Sequence, residues 1–240
     1  EGSVVVWNAT LGTLSEHQVI EGGAVVGNIL AGVDEELRDV LLVAQTDEAG
    51  MLSVYRRPGP DRPYERVNSV SLGSPVTSAA WSENGDGSRD FTKAWLGCAD
   101  GSLRQIACDG LETGFELSIS KSGVRAIAVT NDDEDNNVVY AGDSSGQMFR
   151  VAVDGARVTA LSPPHREAVV SIALTSDDEV LITGSRDGTV RVWDNKDKHK
   201  PEGKYIIGPM KVWLSGVFIN DNIVVSDGAD NMVVKHEFRT

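Results

Sequence analysis

Residues 180–194, VLITGSRDGTVRVWD, decide the fold of this chain. Apolar residues recur along both halves of the stretch at the period of two that a pleated strand requires. The pair Asp187-Gly188 lies between the halves, and Asp-Gly between apolar runs is the strongest short-range hairpin signal. The stretch therefore predicts two short antiparallel strands, joined by a tight turn and closed by Trp193 and Asp194.

The same frame recurs along the chain. Each copy has a turn pair followed by an apolar strand residue, and the pairs are Glu1-Gly2, Ala49-Gly50, Asp100-Gly101, Ser145-Gly146, Asp187-Gly188 and Asp230-Asn231. Successive turns are 48, 51, 45, 42 and 43 residues apart. This spacing is close to the period of about 40 to 45 residues of repeats that fold as four-stranded sheets.

A second recurring column lies upstream of each turn. Five six-residue segments align without gaps: residues 25–30, 76–81, 124–129, 169–174 and 213–218. They are small and apolar on both faces, as expected of an inner strand that packs between two neighbouring sheets.

With its tight turn and its Trp193-Asp194 pair, the stretch resembles one unit of the WD-repeat family. The resemblance implies an all-β propeller whose blades have four antiparallel strands, a to d, with the tight turn between b and c. We number the four full blades 1 to 4 by their turn residues Gly50, Gly101, Gly146 and Gly188. Residues 1–240 are predicted to form a single β-propeller domain, with five blades largely present and half of a sixth.

The predicted strands do not fill a whole number of blades. Residues 2–8 match strand c, a strand d is expected around residues 17–20, and the last copy supplies strands a to c at 213–218, 222–226 and 232–238. Unpaired edges are an aggregation hazard. We therefore expect on the order of 25 to 75 further N-terminal residues in the natural protein and six or seven blades in all. The alternative is that a partner's strand or subunit covers the edges.

The composition bounds the class of protein. The net charge of −14 argues against a general affinity for nucleic acid or anionic lipid, because both need a basic face. No apolar run approaches a membrane span, and residue 1 does not begin a recognisable signal peptide, although a removed one would leave no trace. Cys98 and Cys108 are predicted to be reduced core thiols, which fits an intracellular, cytoplasmic or nuclear protein, with an organelle left open.

The loops sort onto two rims. Loops d to a and b to c share the top rim, and loops a to b and c to d share the bottom rim. The a to b loops are acidic, whereas two c to d loops, residues 56–62 (RRPGPDR) and 196–204 (KDKHKPEGK), are basic.

In blade 4, His165, Thr183, Asp187 and Trp193 stand where WD-repeat proteins are expected to place a buried hydrogen-bonded tetrad. The indole would donate to the hydroxyl, which would pass the bond to imidazole and carboxylate. We interpret the set as structural and not as a catalytic triad, because no G-x-S-x-G motif accompanies it. The other blades carry Tyr55, Ile106, Val151 and His236 at the Trp position.

No metal or cofactor site is predicted. The run 132–135 (DDED) has the carboxylates that Ca²⁺ takes but lacks the order of an EF-hand loop, and the four histidines have no zinc spacing. For partner contact, Arg and Trp are the residue types that dominate binding hot spots. The expected contact residues are Lys121, Arg125, Arg186, Lys211 and Trp213 near the top of the channel, and Lys196, Lys198 and Lys200 in a basic loop. Trp213 packed between blades, and residues 196–204 as a solvated flexible loop, are the structural alternatives.

The first functional hypothesis is a non-enzymatic scaffold or adaptor, a subunit of a larger complex that binds other proteins. The second is a propeller enzyme with a site in the central channel, which needs titratable side chains converging from the starts of strands a. Those positions are mostly Val, Thr and Leu, and an apolar channel without paired acids would favour the scaffold. A third hypothesis is RNA or nucleoprotein binding through a local basic patch, tested by its salt dependence.

Overall fold

The structure of the protein, a computed structural model, describes residues 2–10, 13–21, 23–132, 136–208, 214–220, 223–228 and 233–237. These residues form β-strands, with one short 3-10 turn at Asp154–Ala156. No helix in the described ranges has the length and apolar character needed to cross a membrane.

The strands form six antiparallel sheets in which spatial order follows sequence order. An N-terminal pair comprises β1 (Ser3–Thr10) and β2 (Thr13–Glu21). Blade 1 comprises β3 (Val26–Val33), β4 (Asp39–Gln45), β5 (Met51–Arg57) and β6 (Glu65–Ser71), and blade 2 comprises β7 (Val76–Glu83), β8 (Arg89–Cys98), β9 (Ser102–Ala107) and β10 (Thr113–Ser118). Blade 3 comprises β11 (Val124–Asn131), β12 (Asn137–Asp143), β13 (Met148–Ala152) and β14 (Arg157–Leu161), and blade 4 comprises β15 (Val169–Leu174), β16 (Val180–Ser185), β17 (Val190–Asp194) and β18 (Glu202–Ile207). A C-terminal triplet comprises β19 (Leu214–Asn220), β20 (Ile223–Gly228) and β21 (Val233–Glu237).

The sheets are arranged around a common axis as a β-propeller. The inner strands β3, β7, β11, β15 and β19 contact one another in that order. The core lies between the sheets, where each cluster joins residues of consecutive blades: Leu42 packs with Leu96, and Tyr140 with Leu181 and Trp193. Each fully buried side chain of this size contributes about 1.5–3 kcal/mol to folding, so the blades stabilise one another through their flat faces.

The structure corrects the predicted register of two inner strands. A β-bulge begins at Val76, Val124 and Val169 in blades 2 to 4, as the alignment places them, but at Val26 and Leu214 in the first and last copies. The aligned residue Val25 is 62% exposed, whereas Leu214 is fully buried. The frame is thus one residue later than predicted in both copies. Two adjacent apolar residues satisfy the pattern in either frame, and only packing decides which one faces inward.

The turn glycines have a physical reason that the structure makes explicit. Gly50 and Gly101 have φ of 56° and 81°, a region that side chains with a Cβ disfavour. A Cβ at Gly101 would overlap the Ser120 carbonyl oxygen, and one at Gly50 would overlap that of Ser74. In blades 1 and 2 the b to c turn therefore packs closely against the loop that leads to the next blade, and these two loops lie together on the top rim.

Candidate functional site

The four blade 4 residues singled out in the sequence lie in one hydrogen-bonded chain. The Trp193 Nε1–H donates to Thr183 Oγ1 at 3.1 Å, and the Thr183 hydroxyl lies 2.7 Å from His165 Nε2. The second ring nitrogen, Nδ1, lies 3.0 Å from Thr189 Oγ1 and 3.5 Å from Asp187 Oδ2. The Thr189 hydroxyl in turn donates to Asp187 Oδ1 at 2.6 Å. Because the single proton of the Thr189 hydroxyl goes to Asp187, its oxygen can only accept from His165, which puts the imidazole proton on Nδ1. Nε2 of the neutral ring then accepts from the Thr183 hydroxyl.

The charge state of this chain follows from its burial. Burial lowers the pKa of His165 to about 4, although the Asp187 charge opposes the shift, so the ring is neutral at pH 7. Burial alone would raise the pKa of Asp187, but hydrogen bonds from Thr189 and the Arg166 backbone N–H hold it below its usual value. Thr183 is fully buried. The hydroxyl next to the imidazole therefore has no access to a substrate, which supports the structural interpretation of the set.

Blades 2 and 3 connect the d to a loop to the b to c turn region through serines, in two different ways. The Ser120 hydroxyl donates to Asp143 Oδ2 at 2.7 Å, and Ser74 Oγ accepts from the Asp100 backbone N–H at 3.1 Å. Both serines lie in d to a loops, where blade 4 has His165. Sequence reasoning did not name these serines or Thr189. The signal available was a hydroxyl residue in the loop before strand a, two residues before β7 and four before β11.

Four cationic residues lie exposed on the top rim of blades 3 and 4. Lys121 lies in the loop before β11, and Arg125 is the second residue of β11. Arg186 lies in the b to c turn of blade 4, where its backbone N–H donates to Ala168 O at 2.9 Å. The fourth is Arg166, in the loop before β15, which was not among the contact residues predicted from the sequence. The predicted contacts Lys211 and Trp213 lie outside the described residues, as does the side chain of His236.

Cations of the bottom rim are paired with carboxylates of the same chain. Arg56 Nε lies 3.4 Å from Asp34 Oδ2, and the same guanidinium pairs with Asp109. Arg57 Nε donates to Asp39 Oδ2 at 2.6 Å. The basic c to d loop of blade 1 is therefore neutralised by neighbouring acidic loops.

The basic loop 196–204 is fastened to the body of the propeller, in contrast to the flexible loop that the sequence favours. Lys198 Nζ donates to Asn131 O at 2.9 Å and lies 3.8 Å from Asp178 Oδ2, and the buried Arg150 donates through Nε to Lys198 O. Lys196 and Lys200 keep exposed side chains that pair with carboxylates on their own rim, Lys196 with Glu179 at 3.5 Å and Lys200 with Glu202 at 3.1 Å. The loop is thus held by bonds from blade 3.

A central cavity of about 710 Å³ lies between the inner strands of blades 2 to 4 and the triplet. Apolar residues of the inner strands line it, but its surface is more polar than apolar, and Glu83, Asp86, Asp178 and Arg89 are among the lining residues. Burial and the charge of Asp178 raise the pKa of Glu83. The cavity therefore does contain neighbouring acids, which the sequence did not place there because they come from a to b connections and not from the starts of strands a.

Two further predictions concern ligand and thiol chemistry. Within the described ranges, no group of three or more His, Cys, Asp or Glu residues could hold a metal ion, and residues 133–135 of the acidic run lie outside those ranges. Cys98 and Cys108 are unpaired and buried, and burial raises the pKa of Cys108 to about 12. Both thiols are therefore protonated at neutral pH.

Comparison with known proteins agrees with this geometry. The structure is similar to that of Saccharomyces cerevisiae Sqt1, with a TM-score of 0.78 at 12% identity over 98% of this chain and 65% of that one, a likeness of fold alone. The family model for the WD domain, G-beta repeat, matches residues 156–194, which contain the stretch that decides the fold. The chain thus contains a WD repeat.

Three curated relatives share parts of this WD-repeat chain. It is 28% identical over 131 residues to WD repeat-containing protein 18 of Homo sapiens, covering 46% of this chain and 30% of that protein. It is 23% identical over 114 residues to THO complex subunit 6 of Drosophila melanogaster, covering 43% and 31%. It is 28% identical over 82 residues to Target of rapamycin complex subunit LST8 of Saccharomyces cerevisiae, covering 34% and 26%. The matches thus span less than a third of each relative's length.

Proposed function

We propose that this WD-repeat protein is a non-enzymatic scaffold that binds an acidic surface of another protein through the top rim of blades 3 and 4, within an intracellular multi-subunit assembly. The observation that carries the proposal is the placement of charge. Lys121, Arg125, Arg166 and Arg186 are exposed on one rim of a chain whose net charge is −14. Complementary charge steers association and selects partners more than it adds affinity.

The cations of the bottom rim are the less suitable binding surface. Arg56, Arg57 and Lys198 each contact a carboxylate of their own chain, so the cost of removing them from those partners would offset a new contact. Two of the relatives are named as subunits of complexes, the THO complex and the Target of rapamycin complex. A propeller fold hosts many functions, so the site and not the fold alone must support the role.

The experiment is a matched pair of charge reversals in affinity capture. Arg125→Glu with Arg186→Glu inverts the top rim, and Arg66→Glu with Arg157→Glu inverts two exposed arginines on outer strands. We expect the top-rim variant to recover its partner proteins at least about tenfold less well at ~0.15 M salt, where surface charges still act over about 8 Å. The control variant should recover them as the wild type does. Equal recovery by both variants would contradict the proposal, and recovery lost on nuclease treatment would favour the nucleoprotein alternative.

The central cavity favours one second candidate, a propeller enzyme. Burial and the charge of Asp178 raise the pKa of Glu83, and a carboxyl with a raised pKa in a cavity is a candidate general acid. Against this, Asp178 already accepts a hydrogen bond from Thr130 and faces Lys198. Glu83→Gln separates the candidates, because it would abolish hydrolysis of a substrate by the enzyme and leave the scaffold's captured proteins unchanged.

A further inference from the structure

A second pocket, of about 210 Å³, lies on the outer side of the ring between blades 3 and 4. Its walls come from neighbouring strands and one loop: Arg191 and Trp193 of β17, residues 203–206 of β18, and Pro163 from the loop after β14. β18 is the outermost strand of blade 4. The pocket is thus separate from the top rim and from the central cavity.

The charged wall of the pocket is incompletely satisfied. Arg191 Nε is buried and has no hydrogen-bond partner among the described residues. Asp187 attracts the guanidinium and Arg166 repels it, while no described carboxylate forms an ion pair with it. A buried N–H without an acceptor is unfavourable, and a carboxylate oxygen entering from the pocket would supply the acceptor.

The open edge of β18 presents a cation and an apolar side chain next to the pocket. Among the described strands, β18 pairs with β17 alone, so its outer edge presents backbone groups that can pair with another strand. Val192 pairs with Tyr205 and Trp193 with Gly203, which makes Lys204 the extra residue of a bulge with its side chain exposed. Ile206, opposite Arg191 in the ladder, is 51% exposed.

The size and lining of the pocket suit one apolar side chain. Its volume lies below the roughly 300–1,000 Å³ of sites that enclose a drug-sized molecule. A Cβ at Gly203 would lie 3.5 Å from Pro163 Cδ and 3.8 Å from Trp193 Cε3. Gly203 therefore leaves room between the proline and the indole, and a side chain at this position would take up that room without a clash at its Cβ.

We propose that this pocket docks an acidic, extended peptide segment of a partner protein. The segment adds to the open edge of β18, inserts an apolar side chain between Pro163 and Trp193, and places a carboxylate against Arg191 and Lys204. The inference rests on the proposed scaffold function but uses a different surface. An extended peptide satisfies the strand edge, the side-chain-sized pocket and the cations together, whereas an isolated anion would satisfy the cations alone.

The test selects peptides on the whole chain. A phage-displayed library of random decapeptides is panned against wild type, Arg191→Gln and Gly203→Val, with Arg66→Gln on the equivalent outer strand of blade 1 as the matched control. We expect wild type and Arg66→Gln to enrich peptides in which Asp or Glu lies close to a large apolar residue. A synthetic peptide of the enriched sequence, measured by fluorescence anisotropy, should bind Arg191→Gln and Gly203→Val at least tenfold more weakly.

The proposal would be overturned if the enriched peptides lack an acidic residue or bind Arg191→Gln as tightly as the wild type. It would also be overturned if the library is enriched no more on the wild type than on Gly203→Val. Binding of phosphatidylserine vesicles lost in Arg191→Gln, with no peptide enriched, would reassign the pocket to an anionic lipid surface and overturn it too. If Gly203→Val does not fold, Gly203→Ala fills less of the pocket and takes its place. The variant with Arg125→Glu and Arg186→Glu should bind the peptide as the wild type does. If no peptide binds the pocket while partner proteins are still captured through the top rim, the pocket inference is refuted and the scaffold proposal is not.

Discussion

Replacing Thr183 with valine tests the hydrogen-bonded chain of blade 4 most directly. The hydroxyl of Thr183 accepts from Trp193 Nε1 at 3.1 Å and bonds His165 Nε2 at 2.7 Å. Valine has nearly the same shape, so the change removes the hydroxyl without opening a cavity. The Trp193 indole N–H and His165 Nε2 would then both be buried without that partner.

The magnitude follows from the two groups left unpaired. An unsatisfied buried donor or acceptor costs about 1–3 kcal/mol, so two of them cost ~2–6 kcal/mol if the pocket does not relax. This is a large share of the ~5–15 kcal/mol that stabilises a typical domain. Because each blade contacts mainly its neighbours, the loss should be concentrated in β15 to β18.

The assay is urea unfolding followed by tryptophan fluorescence, together with amide hydrogen exchange to locate the loss. A repeat array need not unfold in two states, so exchange in blade 4 is the decisive readout. Thr183→Ser is the matched control, because it keeps the hydroxyl and loses one methyl group at about 1 kcal/mol. The reasoning is refuted if Thr183→Val costs no more than Thr183→Ser, or if its blade 4 amides exchange as slowly as in the wild type.

Three further predictions follow from burial and backbone geometry. The pKa of His165 is about 4 in the folded protein against 6.5 for a free histidine, so the unfolded chain takes up the proton first. The free energy of unfolding should therefore fall as pH drops from 6.5 towards 4, by up to about 3 kcal/mol. Urea midpoints measured at pH 7.5, 6.0 and 5.0 should change less with pH in His165→Gln than in the wild type, and an equal pH dependence in both would contradict this. An alanine at Gly101 would combine a positive φ with a backbone clash, whereas Gly155 has a similar φ and open space around it. Urea unfolding should show a loss of about 1–2 kcal/mol in the free energy of unfolding for Gly155→Ala and a distinctly larger loss for Gly101→Ala. Equal losses would rule out the close packing of the Gly101 turn against the Ser120 carbonyl. Cys98 and Cys108 should react with a disulfide reagent at pH 8 only in denaturant, since both thiols are buried with raised pKa values. Rapid labelling of the native protein would contradict this and show that blade 2 opens in solution.

Local signals in the sequence predicted most of the architecture. The period-two apolar runs and the turn pairs at Gly50, Gly101, Gly146 and Gly188 determine where the strands of each full blade begin and turn. Their spacing determines that the blades repeat. These features depend on residues within one hairpin, which is why they can be read without knowing what packs against them.

Packing between blades decided what the sequence left open. It set which of Val25 and Val26 faces the neighbouring sheet, and it brought Thr189 and the loop serines into the bonds around the turns. It also paired Arg56 with acidic loops of two blades and brought Pro163 and Arg191 together around one pocket. In each case the partners are separated by many residues along the chain, so their contact depends on how neighbouring sheets twist and stack, which no local pattern specifies.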